Sequence, residues 1–229
     1  MRIIDNDILY TRNARLGFYA NVLGTVLVVA AAYILFAQTT PSFGIYFGLL
    51  LGGIIFLQVG LYFGRWSRRP DHALNHALKG LDNSYSIYHH RAGVSHLLVG
   101  PSGVWILIPK YTPGEISYEK EKQTWRAGGG NLFSRFYRWL TRERVGRPHI
   151  EAMYEAADLD RFLQKKWQNQ QSLHVQAAIV FLDEDAQLNT GDSPVPATTL
   201  KNLKKTILSG EEKAALSKER LDQLREALE

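Results

Sequence analysis

Leu16-Gly-Phe-Tyr-Ala-Asn-Val-Leu-Gly-Thr-Val-Leu-Val-Val-Ala-Ala-Ala-Tyr-Ile-Leu-Phe-Ala37 and, after a five-residue linker, Phe43-Gly-Ile-Tyr-Phe-Gly-Leu-Leu-Leu-Gly-Gly-Ile-Ile-Phe-Leu-Gln-Val-Gly-Leu-Tyr-Phe-Gly64 decide the architecture. Neither run contains Asp, Glu, Lys, Arg or His. A hydrocarbon core of about 30 Å needs about 20 helical residues at 1.5 Å each, and both runs supply them. A cleaved signal peptide has a shorter apolar stretch and no second span directly behind it. The expectation is two transmembrane helices, about 16–37 and 43–64, in an anchor spanning residues 1–69.

Arg12 and Arg15 precede the first span, Arg65, Arg68 and Arg69 follow the second, and the linker Gln38-Thr-Thr-Pro-Ser42 is uncharged. The positive-inside rule then places both termini in the cytoplasm of a plasma-membrane protein. So short a linker predicts an antiparallel hairpin. Gly44, Gly48 and Gly52 recur every fourth residue, with Gly60 and Gly64 continuing the spacing, which lets a neighbouring backbone approach closely. That neighbour is either the first helix, through Gly17, Ala20 and Gly24, or a second copy of the chain. Asn21 and Gln58 lie at similar depth and are expected to hydrogen-bond across the hairpin. With no titratable group inside either span, a pore or transporter is disfavoured.

The 229 residues carry a net charge of +5 and no cysteine. Disulfides and thiolate metal sites are thereby excluded, in keeping with a reducing compartment. Beyond the anchor the pattern changes. Asp71 to Gly80 reads as a short helix. Ser84–His90, Val94–Val99 and Val104–Ile108 read as strands, the last two joined by the turn Gly100-Pro-Ser-Gly103. Glu115–Glu119 and Gln123–Arg126 extend the sheet. Pro148 opens a helix over about 150–168, Val175–Leu182 is a buried strand, and Thr199–Leu208 and Ser217–Leu228 are helices. The order predicts one mixed-sheet α/β domain over residues 70–229.

Val94-Ser-His-Leu-Leu-Val-Gly-Pro-Ser-Gly-Val-Trp-Ile-Leu-Ile-Pro-Lys110 resembles the core of the nuclease-related domain (NERD) of the PD-(D/E)xK nuclease superfamily. That core has Ile-Asp-His, a Pro-x-Gly-Val turn, an apolar strand and an acidic-x-Lys ending. Gly114-Glu-Ile116, Trp125, Pro148, Ala178–Leu182, Leu200–Leu208 and Leu216–Leu224 follow the family's order, so the resemblance covers about residues 70–228. It implies a restriction-endonuclease-like fold. The family's metal ligands are departed from. Ser95 stands where the pattern has aspartate and Ile108 where it has the acid before x-Lys, so only Lys110 is retained. Asp71 is the candidate for an acid on the opening helix, and Glu151 occupies the position of a frequent family glutamine. Two carboxylates at adjacent strand ends are what such a Mg²⁺ site needs, so the resemblance implies a pseudoenzyme with no cofactor. Under the alternative, an acid such as Glu115 or Glu119 has moved in, and the chain is an active Mg²⁺-dependent nuclease.

Between Asn131 and Pro148, Arg135, Arg138, Arg142 and Arg144 are interleaved with Phe136 and Trp139. Three readings compete: an interfacial helix on anionic lipid, a nucleic-acid-binding segment with arginines on phosphates and aromatics on bases, and a solvated insertion. The membrane anchor favours lipid. His72, His76, His89 and His90 lack a zinc motif and read as solvated or interface histidines. The functional expectation is a binding or scaffold module at the cytoplasmic membrane face. Its partners are membrane lipids, with nucleic acid and a second copy through Gly44, Gly48 and Gly52 as the others. A purely structural membrane protein is the third alternative.

Overall fold

The computed structural model describes residues 1–37, 43–64, 69–128, 145–166, 173–210 and 215–228. The chain divides into two compact units, Asn6–Arg69 and Met1–Asp5 with Pro70–Glu229. The first five residues, expected in the anchor, instead add a strand to the α/β unit.

In the first unit, α1 (Asp7–Ala37) and α2 (Phe43–Gly64) are both long and apolar enough to cross a membrane. Helix α1 starts nine residues before Leu16, because Asn6 accepts a hydrogen bond from the Leu9 N–H at 3.3 Å and Asp7 sits in the first turn. Its buried stripe is Tyr10, Asn13, Gly17, Ala20, Gly24 and Ala31. A Cβ on Gly17 would lie 2.7 Å from the Gly64 nitrogen, and one on Gly24 would lie 2.8 Å from the Leu57 nitrogen. One on Gly53 would meet Val28, and one on Gly60 would meet Asn21. The two helices therefore run side by side in opposite directions.

Two expectations are corrected here. Gly44 and Gly48 have open space around them, and Gly52 is only in ordinary contact distance of Leu27. The glycines that admit α1 are Gly60 and Gly64, against Asn21 and Gly17 as expected of that end of the series, together with Gly53 against Val28 and Gly24. Asn21 packs on Gly60, whereas Gln58 is exposed.

The second unit is built on a six-stranded sheet in the order β1-β2-β3-β4-β7-β9. These strands are β1 (Arg2–Ile4), β2 (Ser86–Arg91), β3 (Val94–Gly100), β4 (Gly103–Lys110), β7 (Val175–Phe181) and β9 (Ala197–Thr199). Strands β2, β3 and β4 are antiparallel neighbours, while β1–β2, β4–β7 and β7–β9 pair in parallel. The β2–β3 hairpin turns on Ala92 and Gly93, both at positive φ, 56° and 77°. Two such residues match the twist of the flanking strands.

Strand β4 explains the layering. Val104, Ile106 and Ile108 face α4 (Pro148–Lys166) and α6 (Lys218–Leu228), through Ala152, Leu159, Leu221 and Leu224. Trp105 and Leu107 face α3 (Pro70–Ala77) and α5 (Leu200–Leu208), through Leu74, Leu203 and Ile207. A strand covered on both sides must be apolar at successive positions, and Val104–Ile108 is. The strands β5 (Gly114–Glu119) and β6 (Thr124–Gly128) do not extend this sheet as expected. With β8 (Ala186–Asn189) they form a separate three-stranded sheet, whose Ile116 and Trp125 pack on Ile179 and Phe181 of β7.

Candidate functional site

Helix α4 brings the resemblance positions together. Pro148 fits the first helical turn, where a missing N–H costs nothing. Ala152 and Leu159 then set the face that lies on the sheet, and Glu151 and Glu155 flank it one turn apart. Both carboxylates reach strand residues. The Lys110 ammonium lies 2.7 Å from each oxygen of Glu151. The Ser95 hydroxyl donates to Glu155 Oε1 at 2.7 Å, and its backbone N–H donates to Oε2 at 3.1 Å. Ile108, two residues before Lys110 on β4, is 3% exposed and belongs to the core.

Burial pushes the Glu155 carboxyl above its ordinary value of 4.5, the two Ser95 hydrogen bonds oppose that rise, and the charges of Glu151 and Asp158 add to it. Ser95, Ile108 and Lys110 do not fit a magnesium ion. Ile108 has no ligand atom, and Ser95 offers a neutral hydroxyl already given to Glu155. Glu151 is neutralised by Lys110, and Glu155 resists ionisation. Mg²⁺ gives up its waters reluctantly and is held through carboxylates, so this arrangement works as a clamp between helix and sheet. Among the described residues no cluster of three or more His, Asp or Glu is arranged for a metal.

Asp71 is fully buried but does not join this group. It sits on α3, which packs on the opposite face of the sheet, 3.7 Å from His72. Its charge acts on His90, opposing the drop that burial imposes on that imidazole. His72 and His76 are exposed as expected, whereas His89, at 0% exposure, is buried beside His96, which is 2% exposed. His89 Nδ1 and His96 Nδ1 are 2.7 Å apart, and His89 Nε2 is 3.0 Å from Asn75 Oδ1. With Asn75 accepting, His89 carries its proton on Nε2, and His96 donates Nδ1–H to His89. Burial, then the neighbouring His89 and His90, hold the His96 imidazole well below 6.5.

Comparison with protein-family models, curated proteins and solved structures returns no match.

The chemistry must therefore be read from the residues alone. Glu119 pairs with Arg126 at 2.8 Å, and Glu115 is exposed, both in the β5 strand of the smaller sheet. Glu155 is the acid the sequence reading missed. Its four-residue offset from Glu151, on the flank of an apolar helix face, was the signal available. Trp125 donates to His149 Nδ1 at 3.2 Å, fixing the smaller sheet to the start of α4. Arg135, Phe136, Arg138, Trp139, Arg142 and Arg144 lie outside the described residues.

Proposed function

We propose that this chain is an integral plasma-membrane protein with both termini in the cytoplasm. Its α/β unit is a catalytically silent, restriction-endonuclease-like domain of the NERD type, and it works as a binding or scaffold module at the membrane face. One observation carries the reading: two positions that the resemblance marks, Lys110 and Glu151, are paired to each other, and a third, Ser95, is held by Glu155 one turn further along the same helix. Their meeting at α4 and the sheet supports the alignment. Their mutual saturation, with Ile108 in the core, supports loss of chemistry. Two helices of spanning length, each with an uncharged apolar run, support the anchor, and Arg12, Arg15 and Arg69 support its orientation.

The ligands proposed for the module are anionic lipid and nucleic acid, through the arginine-aromatic segment that includes Arg138 and Trp139. Self-association through Gly44, Gly48 and Gly52 is proposed alongside, supported by the open space at Gly44 and Gly48. The test uses the full chain in detergent, because β1 belongs to the sheet and a fragment from residue 70 would lack it. DNA, RNA and anionic vesicles are titrated over a salt series. Binding that weakens steeply with salt is expected, unchanged by Mg²⁺. No binding to any of the three removes the module.

Glu151 and Glu155 also favour a second reading, an active nuclease in which these acids replace the lost ones. It requires Glu151 to leave Lys110 and Glu155 to ionise, so its signature is metal-dependent cleavage.

A further inference from the structure

The α1 surface turned away from α2 carries a groove that belongs neither to the hairpin interface nor to the α4 clamp. Ile8, Thr11, Arg12, Arg15 and Tyr19 line it, with a volume of about 600 Å³. The spacing 8, 12, 15, 19 is one helical stripe, opposite the buried stripe of Tyr10, Asn13, Gly17 and Ala20. Asp7 and Leu16 complete the lining, and all seven residues are exposed. Asp7, at the upper end of the groove, is already engaged by Arg69 at 2.9 Å, and that guanidinium stacks on Tyr10 at 4.4 Å. Among the described residues, Arg12 and Arg15 have no carboxylate partner.

Helix length sets the depth. At 1.5 Å per residue the 31 residues of α1 span about 46 Å, roughly 16 Å more than a hydrocarbon core. The uncharged part begins at Leu16, so Arg15 and Arg12 stand about 2 and 6 Å outside it, at the level of phospholipid phosphates. Below them Tyr19, Val22 and Val26 continue the exposed stripe as an apolar track. Guanidinium pairs bind phosphate oxygens through directed N–H donors, and an aromatic ring at this level is at home in the interface.

We propose that this groove is a binding site for one anionic phospholipid. Arg12 and Arg15 take its phosphodiester, Thr11 and Tyr19 offer hydroxyls to the headgroup, and its acyl chain lies along Tyr19, Val22 and Val26. The proposal rests on the membrane reading of α1 and α2. It commits to a lipid rather than free phosphate, because the cations continue directly into the apolar track.

The experiment titrates fluorescent phosphatidylglycerol into the detergent-solubilised full chain, where membrane orientation plays no part. Each arginine near the headgroups contributes about 1 kcal/mol, which is about fivefold in affinity. Arg12→Gln with Arg15→Gln should therefore weaken binding about 25-fold. Lys201→Gln with Lys205→Gln, exposed on α5 and equal in charge change, should leave it unchanged. Phosphatidylcholine and excess inorganic phosphate should not displace the probe. Equal loss in both double variants, no loss in either, or displacement by inorganic phosphate overturns the site. Carbonate extraction of the reconstituted chain is the separate control. A chain that washes off vesicles defeats the membrane reading itself, whereas one that stays while the arginine variants bind normally defeats only the groove.

Discussion

Ser95 holds Glu155 by both its hydroxyl and its backbone N–H, at 2.7 and 3.1 Å. The contact ties α4 to β3, and the same helix is tied to β4 by Lys110 and Glu151. Because the folded Glu155 carboxyl titrates above 4.5, its contribution to stability is full below that pH and declines as pH rises through the folded value. Glu155→Gln keeps a neutral acceptor for Ser95 and removes that decline. Thermal melts across pH 4 to 8 should show the variant gaining on the parent as pH rises. Glu155→Ala should cost about 1–3 kcal/mol by leaving the Ser95 donors without their acceptor. A Glu155→Gln curve parallel to the parent would refute the assignment.

The histidine pair acts in the opposite direction. His96 and His90 are held below 6.5 in the folded state, so unfolding takes up protons as pH falls below that value. Their stabilising contribution is complete above about pH 6.5 and is lost on acidification. His96→Phe should flatten the acid limb of the stability curve between pH 6.5 and 5, at a cost near neutrality because His89 loses its donor. An unchanged acid limb in melts of that variant would place the titrating group elsewhere.

Hairpin packing distinguishes two classes of glycine. A side chain on Gly60 meets Asn21, including its backbone nitrogen at 2.9 Å, whereas one on Gly48 meets nothing. Gly60→Leu should destabilise the hairpin by about 1–3 kcal/mol through overpacking. Gly48→Leu should leave the hairpin intact while weakening chemical cross-linking between copies, if that stripe mediates self-association. Loss of hairpin stability in both variants would contradict the packing described.

The proposed topology rests on charge. In the sequence Arg12, Arg15, Arg65, Arg68 and Arg69 flank the two apolar runs, and the linker between those runs has no basic residue. A phosphatase reporter that is active only outside the cytoplasm, fused at the C-terminus, should be silent. A reporter placed in the loop near Thr40 should be active. The reverse pattern would invert the protein.

Much of this fold was legible because period and burial agree. The doubly covered β4 reads as an unbroken apolar run, and α4 shows Ala152, Leu159 and Leu163 at helical spacing. The short strands β1, β8 and β9 were not legible: three or four residues carry no period, and what makes them strands is pairing with distant partners. The separate course of β5 and β6 was hidden for the same reason, since sheet membership depends on Ala186–Asn189 lying beside β5. At the site, Ser95, Lys110 and Glu151 were legible as positions and their partners were not. Glu155 looked like an ordinary helix-surface acid until Ser95 was placed against it. His89 looked solvated because a buried imidazole differs from an exposed one only in having a partner such as Asn75.

The α/β unit should not cut nucleic acid. Metal-assisted phosphodiester hydrolysis needs a cation fixed by carboxylates, so that a bound water is activated and developing charge is met. Here Ile108 withholds a ligand atom, and both oxygens of Glu155 are already taken by the Ser95 hydroxyl and backbone N–H. Lys110 stands 2.7 Å from Glu151, so engaging a metal there would first break an ion pair. That side-chain pair is partly solvent-exposed and is worth about 1 kcal/mol or less, so the lack of a ligand atom on Ile108 weighs more against metal binding than the strength of the clamp does. The full chain, incubated with linear DNA, supercoiled DNA and RNA in Mg²⁺ or Mn²⁺, should leave all three intact. Restoring an acid with Ile108→Glu should increase Mn²⁺ affinity, measured by calorimetry, without necessarily restoring turnover. Cleavage by the parent chain that needs metal and disappears in both Lys110→Ala and Glu155→Gln would establish the active-nuclease alternative, with the α4 glutamates as its relocated ligands.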